Sequence, residues 1–167
     1  MIGRAMSFDG VDDWVSVANN ASLNMGANNL TVSAWVRANV APSPGWGGVY
    51  FRTSGIGEIG FGVYVNSKFL FSLYDNTTPS RLGIDVFSTG ATIVDQQWHY
   101  WVGVRNGYNF YLYKDGVLNS SGTKANFGAI DTVAGGTVYM GSYNTTAGRF
   151  NGLIDEVKIW NYARSAE

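Results

Sequence analysis

Short runs rich in valine, isoleucine, tyrosine, phenylalanine and tryptophan follow one another along the whole chain: "DWVSV", "LTVSAWVRA", "VYFRT", "FGVYV", "FLFSLYD", "HYWVGVR", "FYLYKDG", "TVYMGSY" and "LIDEVKIW". Clusters of Gly, Asn, Asp, Ser and Thr separate them. β-branched and aromatic residues suit a pleated, half-buried surface, and regular spacing with turn signals between is the pattern of an all-β sandwich or barrel. No window carries an apolar period near 3.6, and only the tail "NYARSAE" has the composition of a helical turn. Asp115-Gly116 in "FYLYKDGVLNSS" and Asn66-Ser67 in "FGVYVNSKFLFSLYD" stand where tight hairpin turns belong. With 167 residues, no linker and no internal repeat, residues 1–167 are expected to form one all-β domain.

Charge narrows the partners. Charged residues make up 14% of the chain, the net charge is −1 and there is no basic run. The electrostatic footprint of a nucleic-acid binder or of a protein held to an anionic membrane is missing, so neither partner is expected. No apolar stretch reaches the length of a membrane span, and "MIGRAMSFDG" has no signal-peptide block. A soluble chain is expected, and any export signal would lie outside this sequence. With no cysteine there are no disulfides and no thiolate metal sites.

One strand poses a question of its own. In "GLIDEVKIW" an unbroken extended chain would put Leu153, Asp155, Val157 and Ile159 on one face and Ile154, Glu156, Lys158 and Trp160 on the other. Glu156 sits with Lys158 on a charge-mixed face, while Asp155 travels with the apolar set. A carboxylate there needs hydrogen bonds, a cation or a metal.

The segments "MSFDGVDDWVSV", "LTVSAWVRA", "QQWHYWVGVRNG", "FYLYKDGVL", "VYMGSY" and "FNGLIDEVKIWNYARS" occur in this order from about Ala5 to Ala166. Together they resemble the laminin-G-like jelly roll of the concanavalin A-like lectin/glucanase superfamily, in the bacterial and viral branch related to pentraxins. The resemblance implies a two-sheet antiparallel β-sandwich whose first and last strands pair. It also implies that Asp155 faces Asp9 and Asp13, and that calcium, common near the matching positions of this fold, is held by Asp9, Asp13 and Asp155 with a carbonyl from Gly10. Calcium takes six to eight oxygen ligands and tolerates irregular geometry. The other reading of the same residues is a hydrogen-bonded Asp-Gly turn at Asp9-Gly10, with Asp155 accepting amides from the first strand. Asp12 is expected to be solvated under both.

Catalysis is not expected. The glucanase branch places its acids in a pattern like Glu-x-Asp-x-x-Glu, and a retaining glycosidase needs two carboxyl groups about 5–5.5 Å apart. This chain has Glu58, with no second acid nearby in sequence, Glu156, with no further acid along its strand, and the terminal Glu167. The single histidine, His99, reads as a structural residue at a strand start, and there is no nucleophile elbow or phosphate loop.

Many aromatics and amides on a non-enzymatic jelly roll point to a glycan or polysaccharide. Aromatic faces would pack on the C–H face of a pyranose while amides and carboxylates fix its hydroxyls. The candidate residues are Trp46 in "APSPGWGG", then Tyr74, Asp75, Asn76 and Arg81 in "YDNTTPSR", then Tyr143, Asn144 and Arg149 in "SYNTTAGR". Trp46 has two readings, an exposed platform or a plug over the sandwich end. Trp14, Trp35, Trp98, Trp101 and Trp160 are assigned to core or sheet faces, and Tyr111 with Tyr113 to a second aromatic face. The competing class is a structural or adhesion module of a larger surface, phage or virion protein that contacts protein. Both classes place the domain outside the cell or on a cell or virion surface.

Overall fold

The computed structural model describes residues 4–27, 29–43, 45–53, 58–76, 82–130 and 136–165. Twelve strands build it: β1 (Met6–Asp9), β2 (Val15–Val17), β3 (Leu30–Val40), β4 (Trp46–Thr53), β5 (Glu58–Tyr64), β6 (Phe69–Tyr74), β7 (Gly83–Phe87), β8 (His99–Asn106), β9 (Asn109–Lys114), β10 (Val117–Thr123), β11 (Val138–Met140) and β12 (Asn151–Trp160). They form two six-stranded antiparallel sheets, ordered β1-β12-β3-β8-β9-β10 (sheet A) and β2-β11-β4-β5-β6-β7 (sheet B). The sandwich and the β1–β12 pairing both match expectation. The tail at residues 161–165 forms no helix.

Alternation along the strands makes the core. Leu30, Val32, Ala34, Val36 and Ala38 of β3 face Ile59, Phe61 and Val63 of β5 and Phe69, Phe71 and Leu73 of β6 across the sandwich. Phe69 and Trp101 stack between the sheets at 4.4 Å with their planes 4° apart. Of the tryptophans assigned to core or sheet faces, Trp101 is fully buried, and Trp14, Trp35, Trp98 and Trp160 are not. Trp35 packs on Tyr100 at 5.3 Å on the outer face of sheet A, which also carries the Tyr111–Tyr113 pair.

The hairpin turns sit where the sequence placed them. Asp115 and Gly116 both take positive φ, 52° and 80°, as a two-residue turn of the mirror-image type requires. Strand β7 carried no such signal, since "GIDVF" is short and interrupted by an acid.

The face assignment of β12 is corrected. Ile154 is fully buried in the core, but after it the register with β3 shifts between Asp155 and Lys158. Glu156 bulges out in the left-handed region at φ 49°. Beyond the bulge the parity is reversed, so Val157 and Ile159 pack against the core while Asp155, paired with Trp35, faces outward. Asp155 therefore does not belong to the apolar set.

Candidate functional site

Two features collect the polar and aromatic side chains that strand alternation turns away from the core. One is a groove across sheet B; the other is the acidic turn between β1 and β2.

The groove follows from small residues in the middle of the sheet and large ones around them. On the outer face, Gly60 and Gly62 of β5 stand beside Ser72 and Leu70 of β6 and make a low floor. The pairing Trp46↔Tyr64 closes one end, and Phe87 and Asp85 of β7 stand opposite Leu70 and Ser72. Glu58 and Tyr74 pair across β5 and β6 at the other end. The hollow has a volume of about 350 Å³. A side chain on Gly60 would meet the Trp46 ring at 2.9 Å, and one on Gly62 would meet the Gly47 carbonyl at 2.3 Å, so the glycines are what allow the walls to close in.

Edge-to-face contacts run along the wall: Phe87 to Tyr64 at 5.5 Å, Tyr64 to Trp46 at 5.8 Å and Trp46 to Phe51 at 6.0 Å. Tyr143 leans on Phe51 at 4.1 Å, which extends the aromatic surface toward the loop end. At the polar wall, Ser72 Oγ donates to Asp85 Oδ1 at 2.5 Å and Tyr74 OH to Asp85 Oδ2 at 3.5 Å. These hydroxyls orient an exposed carboxylate toward the hollow. Glu58 therefore does have an acid in its own groove: Asp85 lies two strands away, roughly 12 Å between Cα positions from strand spacing and rise.

Of the sequence-derived candidates, Trp46 and Tyr74 meet here, and Trp46 is a half-buried wall rather than a plug. Asp75 is a structural residue. It is fully buried and accepts from Leu82 N at 2.8 Å and Gly128 N at 2.9 Å, beside the buried Arg105, whose guanidinium binds the carbonyls of Gly107, Phe127 and Gly128. Asn76 holds Ala129 through its backbone N–H. Asn144 and Arg149 close their own loop: Asn144 Oδ1 accepts from Thr146 N and Ala147 N, and Arg149 donates to Ser142 Oγ, Asn144 O and Thr145 O while stacking on Trp14 at 4.5 Å. Arg81 lies outside the described residues. Tyr64, Ser72, Asp85 and Phe87 were missed. The signal for them was the alternation of Gly with large residues in "IGFGVY", which marks an outer face kept deliberately low.

A larger hollow of about 400 Å³ lies at the loop end, walled by the Gly10 turn, residues 40–43, residues 146–149 and Asn151. Among the described residues no aromatic ring lines it, so they offer no stacking platform there.

In the acidic turn, Asp9, Asp12 and Asp13 are exposed and their carboxylates lie within 4.8 Å of one another. Asp9 Oδ1 accepts from Val11 N at 2.7 Å and Asp12 N at 3.4 Å, and Asp13 Oδ2 accepts from Asp9 N at 3.1 Å. Asp9 Oδ2, Asp13 Oδ1 and both Asp12 oxygens accept nothing from the described residues, which leaves a set of hard oxygens that fits a calcium ion. Gly10 takes φ +82° at the bend, with Asn151 against it.

Asp155 is not part of this turn. Asp9 pairs with Asn151 and Met6 with Ile154, so Asp155 lies past the far end of β1, roughly 13 Å along the strand. Nor does it bind amides of the first strand. Its Oδ1 caps the bulge by accepting from Glu156 N at 2.8 Å, and its Oδ2 is buried with no partner among the described residues.

His99 is bracketed by carboxylates, with Nδ1 2.7 Å from Asp115 Oδ2 and Nε2 3.0 Å from Asp95 Oδ2. Burial raises the Asp95 pKa, but the Gln97 N–H together with His99 and Lys114 outweighs it and holds the carboxyl below its ordinary value. His99 ties the loop before β8 to the β9–β10 turn.

The comparisons agree with this architecture. Domain 4 of AbnA, a GH43 extracellular arabinanase from Geobacillus stearothermophilus solved with arabinotriose, has a TM-score of 0.68 at 22% identity, over 99% of this chain and 74% of that one. The CBM40 of the Ruminococcus gnavus IT-sialidase has a TM-score of 0.69 at 12% identity, over 98% and 93%. Domains LG4-5 of the mouse laminin alpha1 chain have a TM-score of 0.66 at 17% identity, over 96% of this chain and 44% of that one. At these identities the likeness is one of fold. No curated protein matches the chain. The laminin G family model described as concanavalin A-like lectin/glucanases superfamily matches residues 9–167, nearly the whole length, and the chain belongs to that family.

Proposed function

We propose that this domain is a non-catalytic carbohydrate-binding module, with the groove of sheet B as its sugar site. The observation that carries the reading is the floor of Gly60, Gly62, Leu70 and Ser72 walled by Trp46, Tyr64, Tyr74 and Phe87. A pyranose laid on such a floor meets aromatic rings on its C–H face and finds Asp85, Glu58 and tyrosine hydroxyls for its own hydroxyls. Two listening carboxylates do not by themselves make a hydrolase: Asp85 is engaged by two hydroxyls, and its role here is to accept hydrogen bonds from sugar. That solved relatives of the same fold include domains with arabinotriose and with sialyllactose supports the class of partner. An extracellular location is part of the same proposal.

Calcium enters as a structural ion. Asp9, Asp12 and Asp13 would hold it in the turn where the chain leaves sheet A for sheet B, so its binding would tie β1 to β2.

The test is a broad glycan array in calcium and in chelator, followed by calorimetry on the strongest hit with Trp46→Ala. Hits that weaken at least tenfold in Trp46→Ala support the groove. An array left blank by a folded domain overturns the reading. That result would favour a protein-contacting module, for which the exposed Val117 and Leu118 at the β9–β10 turn give an apolar contact.

A further inference from the structure

We infer that the groove prefers glycans bearing protonated amino groups, such as glucosamine units, over their N-acetylated or acidic counterparts. The inference rests on the carbohydrate-binding reading and sharpens it. Asp85 is exposed at the groove and, among the described residues, takes part in no ion pair; its two oxygens receive the neutral hydroxyls of Ser72 and Tyr74. Among the described residues the lining holds two carboxylates, Asp85 and Glu58, and neither lysine nor arginine.

The other wall acts in the same direction. The faces of aromatic rings carry negative potential, and a cation among several of them is attracted most when its water is displaced. Trp46, Tyr64 and Phe87 form a continuous edge-to-face series beside the carboxylate wall. Each edge-to-face contact covers a face of only one of its two rings, so an ammonium in the hollow would meet aromatic surface on one side and Asp85 on the other. A neutral hydroxyl in the same place gains a hydrogen bond but little of the Coulomb attraction, and a sugar carboxylate is repelled.

Calorimetry on the intact domain tests this with a glucosamine tetrasaccharide, the fully N-acetylated tetrasaccharide and sialyllactose, at low and at physiological ionic strength. The amino form is expected to bind about tenfold tighter than the acetylated form at low salt, with the advantage shrinking as salt screens the pair. Asp85→Asn keeps a partner for Ser72 and is expected to reduce the advantage to about twofold or less, because it weakens the amino sugar more than the acetylated one. Asp85→Ser removes the charge at the same position and serves if Asp85→Asn fails to fold. Equal binding of the two tetrasaccharides, a preference for the acetylated or the acidic sugar, or an unchanged preference in a folded Asp85→Asn overturns the inference and leaves the glycan reading standing. Failure of all three sugars, together with a blank array, overturns both.

Discussion

The indole of Trp46 lies over Gly60, whose missing Cβ would come within 2.9 Å of the ring. The two residues sit on neighbouring strands, and the wall stands where it does because the floor has no side chain there. Gly60→Ala would push the far end of the Trp46 ring outward, a movement the half-buried side chain can make. The strain is offset by the smaller backbone entropy lost by alanine in a strand. The expected outcome is a melting temperature within a few degrees of the parent and a sugar affinity reduced about tenfold, read by calorimetry.

Asp12 separates the two roles of the acidic turn. Its side chain accepts none of the turn's hydrogen bonds, which belong to Asp9 and Asp13. Asp12→Ala therefore leaves the bend intact and removes only an oxygen donor. Calcium is expected to raise the melting temperature of the parent, less so that of Asp12→Ala, and to raise that of Asp155→Ala as much as the parent's. A shift lost with Asp155→Ala and kept with Asp12→Ala would place the ion elsewhere.

Tyr50 is 3% exposed and its hydroxyl has no partner among the described residues. Burial pushes its pKa up to about 12, with nearby Arg52 acting the other way. The folded state then holds this proton more tightly than the unfolded chain. Its contribution to stability is complete below the unfolded value near 10 and is lost as pH rises toward about 12. Tyr50→Phe is expected to be neutral or about 1 kcal/mol more stable at pH 7, because an unpaired buried hydroxyl is removed, and to lose stability less steeply above pH 10. Denaturant melts at pH 7 and across the alkaline limb check both.

Asp95 works at the other end of the scale. Its pKa is depressed in the folded state, so its contribution is present above the ordinary value of 3.8 and disappears as pH falls through the lower folded value. The side chain is 34% exposed, so Asp95→Asn should cost about 1 kcal/mol or less at pH 6, and nothing once the pH has fallen below the folded value. Thermal melts of both proteins from pH 2 to 6 would show curves that converge at the acid end. Parallel curves would mean that the His99 bracket carries no pH-dependent stability.

The fold was legible because alternation and turn chemistry act locally: "LTVSAWVRA" carries its core face in every second residue, and Asp115-Gly116 announces its own turn. The site was legible only in part. Trp46 was found as a large ring among prolines and glycines, and Tyr74 as part of the polar loop "YDNTTPSR". Asp85 and Phe87 were invisible, because they become neighbours of Trp46 and Tyr64 only through the lateral order β4-β5-β6-β7, which no single strand encodes. The Asp155 reading failed for a different reason. A bulge reverses the parity of everything after it, and a residue at positive φ such as Glu156 leaves no mark in a sequence when it is not glycine. Asn144 and Arg149 looked like recognition residues because polar loops do, and they spend their hydrogen bonds on holding their own loop.

The low floor of the groove constrains how such a module can diversify. Gly60 and Gly62 can hardly be exchanged without moving a wall or colliding with backbone, so the middle of the sheet is a fixed stage. Each wall residue, by contrast, alternates along its strand with a core residue: Tyr64 follows Val63, Tyr74 follows Leu73, and Asp85 precedes Val86. A change of wall side chain leaves the inner layer untouched. Lineages with this floor can drift from one saccharide to another through single replacements on separate strands, and the folding of the sandwich places little restraint on the order in which they come.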